Sequence, residues 1–499
     1  MEYLWRDASD MECMPSPCVQ DGAGHYNGYR AVRVEGVDPY IEKCIRQMLA
    51  YIESADYAGW DPYDALNSPL VQRLGMHSKW VRIGATQLLR RCPFNLRPLL
   101  RVHKGHNPKG IGLFLWGYAK LYALTKAPRH LERINRLLDL LEQLRCAGYS
   151  GNCWGYDFDW QSRMFLRPKG TPTIVNTAFI GHVLLDCYQI TGNVRALEMA
   201  LPIKEFILND LARIPFEETF CFSYTPVGKR AVHETEAVHN ANLLGASILA
   251  RLARYCDDDR LIPTALKSMD YSMRHQRNDG AWYYAETSLQ KWIDSFHTGF
   301  NLEAIRYILQ AGLGGKWLPA YRKGVAYYAN QFFREDGAPQ YYHDRVYPID
   351  IHAPTQAICF FAGEGKQYRE LTERILHWML EHLYSGKGYF YYRRGRFFTN
   401  RISYMRWSQA WAFHALTEYA YQRSERSRRG DDSETCRTED SGGADNVLPI
   451  ASTRRNTYRR DRQAQAEDVL RGHQSGEGPS GPRRHKLSQD CSKCDTPHL

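Results

Sequence analysis

The chain has 499 residues, 43% apolar and 13% aromatic, with 33 tyrosines and 12 tryptophans, enough to bury one large domain or two ordinary ones. No run approaches the ~20 apolar residues of a bilayer-crossing helix, which excludes a helical membrane span. A formal charge of +10 suits an anionic ligand, but zinc-finger spacing, an RNP-like segment and a dense basic stripe are all missing, so no nucleic-acid partner is expected.

Residues 1–35 read as a lead segment. Their opening, Met1-Glu-Tyr-Leu-Trp-Arg-Asp, lacks a basic start followed by an apolar stretch, so no signal peptide is expected. The 13 cysteines are odd in number and scattered singly, as at Cys44, Cys187 and Cys359. They read as reduced, buried thiols of a cytoplasmic protein rather than a disulfide framework.

From residue 36 to 422 the chain repeats itself. Each unit is a helix, a turn rich in Gly and aromatics, a polar stretch and a strongly apolar helix. The apolar helices begin near Gly112, Asn176, Asn240, His297, His352 and Trp407, about 55 to 64 residues apart, the length of one helical hairpin. The turns also correspond: Trp154-Gly-Tyr-Asp-Phe, Phe222-Ser-Tyr, Gly280-Ala-Trp-Tyr-Tyr, Gly337-Ala-Pro-Gln-Tyr-Tyr and Gly388-Tyr-Phe-Tyr-Tyr. Helices apolar nearly all round, such as Asn176–Tyr188 and Asn240–Ala253, must be buried on several sides. Lys323–Phe333 and Arg369–Leu383 read as amphipathic outer helices. Six inner helices enclosed by six outer ones satisfy both demands, whereas a linear helical solenoid leaves each inner helix short of a second buried face.

From Arg423 to Leu499 the composition shifts to Arg, Ser, Gly, Asp and Gln with mixed charge. Such a tail cannot bury enough apolar surface to offset chain entropy and is expected to be disordered. Its Cys491-Ser-Lys-Cys494 is a lone CxxC, short of the four ligands of a zinc site.

On the repeat and its Gly-aromatic turns, residues 36–422 resemble the six-hairpin glycosidase-like (α/α)6 toroid superfamily, which holds glycoside hydrolases, polysaccharide lyases and uronyl or amino-sugar epimerases. The resemblance implies an all-α fold, an (α/α)6 toroid of helical hairpins with short extended turns, and a carbohydrate-active enzyme. Fold alone assigns no reaction.

In such a ring the polar stretches converge on one mouth. Asp294, His297 and Asn301 follow at helical steps that share a face, so Asp294 can fix the tautomer of His297 and make it a base near neutral pH. Asp294 equally suits a plain helix cap. Asp157 and Asp159 fall on one side if locally extended and could divide into acid and base. His239 and Tyr284 are further catalytic candidates. His233 and His239 stand six apart rather than four, so no metal is expected, and no cofactor either.

Arg163, Arg345 and Arg406 offer bidentate grips for a uronate carboxylate. Trp160, Asn176, Asn240, Asp350, His352 and Tyr404 complete the expected substrate contacts. Abstraction of the proton beside such a carboxylate needs that charge neutralised while His or Tyr moves protons.

Three readings follow. The first is an enzyme of glycan metabolism acting on a uronate-containing oligo- or polysaccharide as lyase, epimerase or hydrolase. The second is a non-catalytic glycan-binding or scaffold protein of a surface-polysaccharide pathway. The third is a terpenoid-cyclase-like toroid, for which Gln276-Arg-Asn-Asp-Gly280-Ala-Trp282 supplies one QxxxGxW copy but Asp257-Asp258-Asp259, in an inter-helix connector, makes a poor acid motif.

Overall fold

The computed structural model describes residues 36–75, 78–161, 166–226 and 237–428, all of which fall in one compact unit. The expected lead segment, and the expected tail beyond residue 428, lie outside the described residues. Helix α1 (Pro39–Ser54) begins where Asp38 accepts from the Tyr40 amide at 2.7 Å, and it buries one stripe, Ile41, Ile45, Met48, Leu49 and Ile52. An excursion follows, with α2 (Pro69–Gly75) and α3 (Lys79–Arg91). It belongs to no repeat.

Hairpins then alternate inner and outer helices. They are α4 (Pro108–Thr125) with α5 (Pro128–Gln143), then α6 (Ile174–Thr191) with the broken α7 (Val194–Ala200) and α8 (Ile203–Glu205). Next come α9 (His239–Leu252) with α10 (Leu261–Arg274), α11 (Ser295–Gln310) with α12 (Leu318–Gln331), and α13 (His352–Ala362) with α14 (Arg369–Leu383). The last inner helix, α15 (Trp411–Arg428), takes α1 as its outer partner. It runs six residues past the boundary expected at 422. Each inner helix packs on the next, and α15 returns to pack on α4, so the ring closes. The inner helices bury nearly their whole circumference; α9 has no exposed residue from His239 to Leu252.

Short extended pairs sit in the turns: β1 (Trp160–Gln161) with β2 (Leu166–Arg167), and β3 (Arg213–Phe216) with β4 (Thr219–Phe222), all antiparallel. Strands β5 (Ile349–Asp350), β6 (Arg393–Arg394) and β7 (Thr399–Asn400) form one antiparallel sheet in that order, with Asp350 opposite Arg393 and Arg393 opposite Asn400.

The Gly-aromatic turns brace neighbouring hairpins. Gly280 has φ +96°, and a Cβ there would lie 2.6 Å from the Lys323 carbonyl oxygen of α12. Only glycine combines that backbone with so close an approach. Gln276 Nε2 donates to the carbonyls of Gly280 and Ala320, each at 2.9 Å. The QxxxGxW segment is thus a structural brace, and Asp258 of the connector is held by Lys204 and Arg260. Gly388 (φ +87°) makes the same approach to Gln47 of α1, at the seam where the ring closes. The cysteines of the described residues are all free thiols, and no helix there is long and apolar enough to cross a membrane.

Toward the C-terminal halves of the inner helices the ring interior is filled with paired charge. Lys120 meets Glu418, and Arg251 meets Asp186. Arg306 lies 3.2 Å from Glu364 and 3.8 Å from Glu303. Trp116 Nε1 donates to Asp186 at 2.8 Å and stacks on His414 at 4.2 Å. His182 stacks on Tyr307 at 4.4 Å. Burial holds both histidines well below the usual imidazole range.

Candidate active site

The opposite end, at the N-termini of the inner helices, is open. A cleft of about 500 Å³ lies there, walled by Tyr63, Tyr156, Phe158, Trp160, Tyr224, Tyr284, Trp292, Tyr341 and Trp407. Its polar lining is Arg90, Lys109, Asn240, Gln290, Asp294, His297, His352 and Arg406. Among the described lining residues the sole carboxylate is Asp294.

Asp294 performs both tasks its spacing allowed. As N-cap of α11 its Oδ1 accepts from the His297 amide at 3.0 Å. Its Oδ2 lies 2.7 Å from His297 Nδ1 and accepts from Trp292 Nε1 at 3.0 Å. With Nδ1 carrying the proton toward the carboxylate, Nε2 is the free ring nitrogen, and the ring edge is fixed by Tyr284 at 4.7 Å. Tyr284 in turn stacks on Trp292 at 4.5 Å.

His352 opens α13 on the other side of Phe296, whose ring is 4.3 Å from His297 and 5.3 Å from His352. The His352 ring packs 4.0 Å from Trp407. Burial first, then the neighbouring charges of Lys109, Arg406 and His297, hold it well below the usual imidazole range, so it is a neutral base at pH 7. Asp350 does not reach the cleft. It accepts from the His352 amide at 3.1 Å and from Trp407 Nε1 at 2.8 Å, fixing both residues from behind.

Arg406 enters from the turn before α15 and grips Asp61 bidentately, Nε–Oδ2 2.6 Å and Nη2–Oδ1 2.8 Å. Burial works against its charge, but Asp61, Tyr156 and Asp157 together raise its pKa above the ordinary guanidinium range. Lys109, in the first turn of α4, is unlike any other lysine in the ring. Its Nζ sits 3.8 Å from the Phe179 ring centre, 5.1 Å from Phe300 and 5.2 Å from Trp411. Burial, then Arg406, lower its pKa well below the ordinary lysine range.

The expected site residues therefore divide. His297, Asp294, Tyr284, Trp160, Asn240, His352 and Arg406 line one cleft. The others described do not. His239 is fully buried and faces the outer layer, Nε2 3.0 Å from Glu286 and Nδ1 3.2 Å from Ser272. Asn176 is buried within α6. Asp157 lies behind the wall, bonded by Asn107 Nδ2 at 2.5 Å, its carboxyl pushed up to about 6 by burial and then by Asp61. Asp159 caps a turn by accepting from the Lys169 amide at 2.6 Å, so the two acids do not act on one spot. Tyr404 is buried and accepts from Arg97 at 2.9 Å. Arg345 is exposed and pairs with Asp344. Arg163 and His233 lie outside the described residues.

Sequence reasoning missed Lys109, Arg90 and Asp61. A lone lysine in the otherwise apolar start of α4, directly after the Asn107-Pro108 cap, was the available signal for the first. Nothing local marks Arg90, because the excursion that carries it lies outside the repeat.

No family model matches the chain, and no curated protein matches it. Solved structures do. A cellobiose 2-epimerase from Bacillus thermoamylovorans superposes with TM-score 0.51 at 14% identity, covering 65% of this chain and 90% of that one. A GH76 α-mannanase from Bacteroides thetaiotaomicron gives TM-score 0.50 at 15% identity, covering 66% and 89%. At such identity the likeness is one of fold. With its closed ring of hairpins and open mouth, the chain has the (α/α)6 toroid fold.

Proposed function

We propose that the chain is a carbohydrate-active enzyme whose cleft transfers protons to and from carbon, as a uronate-directed epimerase or lyase. One observation carries this reading: two imidazoles flank the cleft, and the one carboxylate among its described lining residues is already engaged with one of them. Glycoside hydrolysis ordinarily needs two carboxyl groups across the scissile bond. Aromatic walls suit the apolar faces of sugar rings, and both superposed enzymes are named for sugar substrates.

In this reading neutral His352 takes the proton beside the substrate carboxylate, and the electron pair moves into that carboxylate as an enediolate. Arg90 and Lys109 face the developing charge. His297, oriented by Asp294, is the group placed to return a proton. Delivery to the same carbon from the opposite face inverts it. Delivery instead to a departing 4-oxygen, as the C–O bond breaks, leaves an unsaturated sugar.

The test is a panel of uronate-containing and neutral oligosaccharides incubated in heavy water. Deuterium at the carbon beside the carboxylate indicates epimerisation, and ultraviolet absorbance of an unsaturated product indicates elimination. Release of reducing ends with neither signal overturns the reading in favour of hydrolysis.

A further inference from the structure

On one flank of the ring, helix α3 is inside out. Its buried positions are Thr86 and Leu89, while Trp80, Val81 and Leu88 face solvent, Trp80 at 67% and Leu88 at 58% exposure. Successive positions turn by about 100°, so these three share one exposed face. The chain beyond α3 adds Phe94 (75%) and Leu99 (76%), and the tip of the β6–β7 hairpin adds Phe397 at 89%. The two elements adjoin: Arg393 Nη2 donates to the Arg90 carbonyl at 3.2 Å, and Asn400 Nδ2 to the Cys92 carbonyl at 3.0 Å.

Charge follows the same map. No Asp or Glu occurs between Asp64 and Glu132, and none between Glu381 and Glu418. These two acid-free stretches contain the whole flank, and Lys79, Arg91, Arg101, Arg396 and Arg401 are exposed there. Large apolar side chains clustered at a surface mark an interaction site. Interleaved with cations and free of anions, they fit a surface that is negative outside and apolar just beneath.

We infer that this flank docks on an anionic lipid surface, with Trp80, Leu88, Phe94 and Phe397 entering the boundary between headgroups and acyl chains and the surrounding Lys and Arg meeting the headgroups. An amphipathic element of this kind lies on a bilayer without crossing it. A soluble polyanion would reward the cations and leave the aromatic residues in water. Because α3 also supplies Arg90 to the cleft wall, docking sets the cleft beside the membrane. The inference stands whether or not the uronate reading does.

The test uses the full chain and sedimentation with vesicles of phosphatidylcholine alone or mixed with phosphatidylglycerol. Binding is expected to the mixed vesicles and to fall as salt rises. The R91Q/R396Q/R401Q variant should lose about fivefold in affinity per cation removed. The F94S/F397S variant, altered only at exposed positions and checked by thermal melting, should weaken binding at every salt concentration. Failure of the wild type to bind mixed vesicles overturns the proposal. So does unchanged binding by F94S/F397S, which would assign the flank to polyanions; a sulfated polysaccharide and an RNA oligonucleotide serve as probes. A dimer seen by light scattering, dissolved by F94S/F397S and indifferent to vesicles, would assign the flank to a second copy instead.

Discussion

Helix α4 carries two buried lysines, Lys109 at the mouth of the ring and Lys120 three turns further in. Lys120 is paired with Glu418, although burial still lowers its pKa to about 8. Lys109 makes no ion pair with a described residue and is surrounded by aromatic faces. A paired amine at the base and an unpaired one at the mouth serve different ends. Matched pairs are satisfied before any ligand arrives, so the base is scaffold. Burial disfavours the charged form of an amine in an aromatic cleft, and an incoming anion is the natural complement that restores it.

The sharpest test of this contrast is at the mouth. His297→Ala should lower turnover by about 10²- to 10⁴-fold, the ordinary worth of a positioned acid or base, with an unchanged melting temperature; steady-state kinetics and calorimetry read the two separately. At the base the reverse is expected. Lys120→Met strands Glu418 and should cost about 3–5 kcal/mol of stability, measured by urea unfolding, while turnover per folded molecule is kept. Equal loss of activity in both variants would break the distinction.

Lys109→Met sharpens it further. Removing a buried amine without an ion-pair partner should leave stability equal or higher while weakening any anionic substrate, seen as a raised KM for charged over neutral sugars. The smallest effect concerns acid. His182 is held neutral in the fold, so below its unfolded pKa of about 6.5 the unfolded chain binds a proton that the folded chain refuses. Stability therefore falls as pH falls, by about 1.4 kcal/mol per pH unit for this group. Urea midpoints taken between about pH 6.5 and pH 5 should show a shallower slope in His182→Gln than in the wild type.

The ring was legible in the sequence because burial on every side leaves a mark: Asn240-Ala-Asn-Leu-Leu-Gly-Ala can sit only in a crowded interior. The Asp294–His297 pair was legible because three-residue spacing on a helix fixes a distance. His239 was misplaced for a related reason. Periodicity identified its helix as an inner one, but the first residue of that helix points back toward α10, and only the rotation of the helix decides this. Asp157 and Asp159 required an extended segment, whereas the turn sends them to Asn107 and to the Lys169 amide. Partnerships such as Arg406 with Asp61, 345 residues apart, exist only once the circle is closed. The basic flank escaped notice because its cations are spaced among apolar residues, so no dense run appears, and the absence of acids around them is the stronger sign.

The return of α15 onto α4, and of Gly388 onto Gln47, has a consequence for how the molecule comes apart. In an open array of helical repeats the terminal units have one neighbour and fray first. Here every hairpin is held on both flanks, so no unit is at the end of a row and no end exists from which peeling can start. Cutting away α1 would therefore do more than shorten the chain: it would turn a loop of mutual supports into a line with two weak ends.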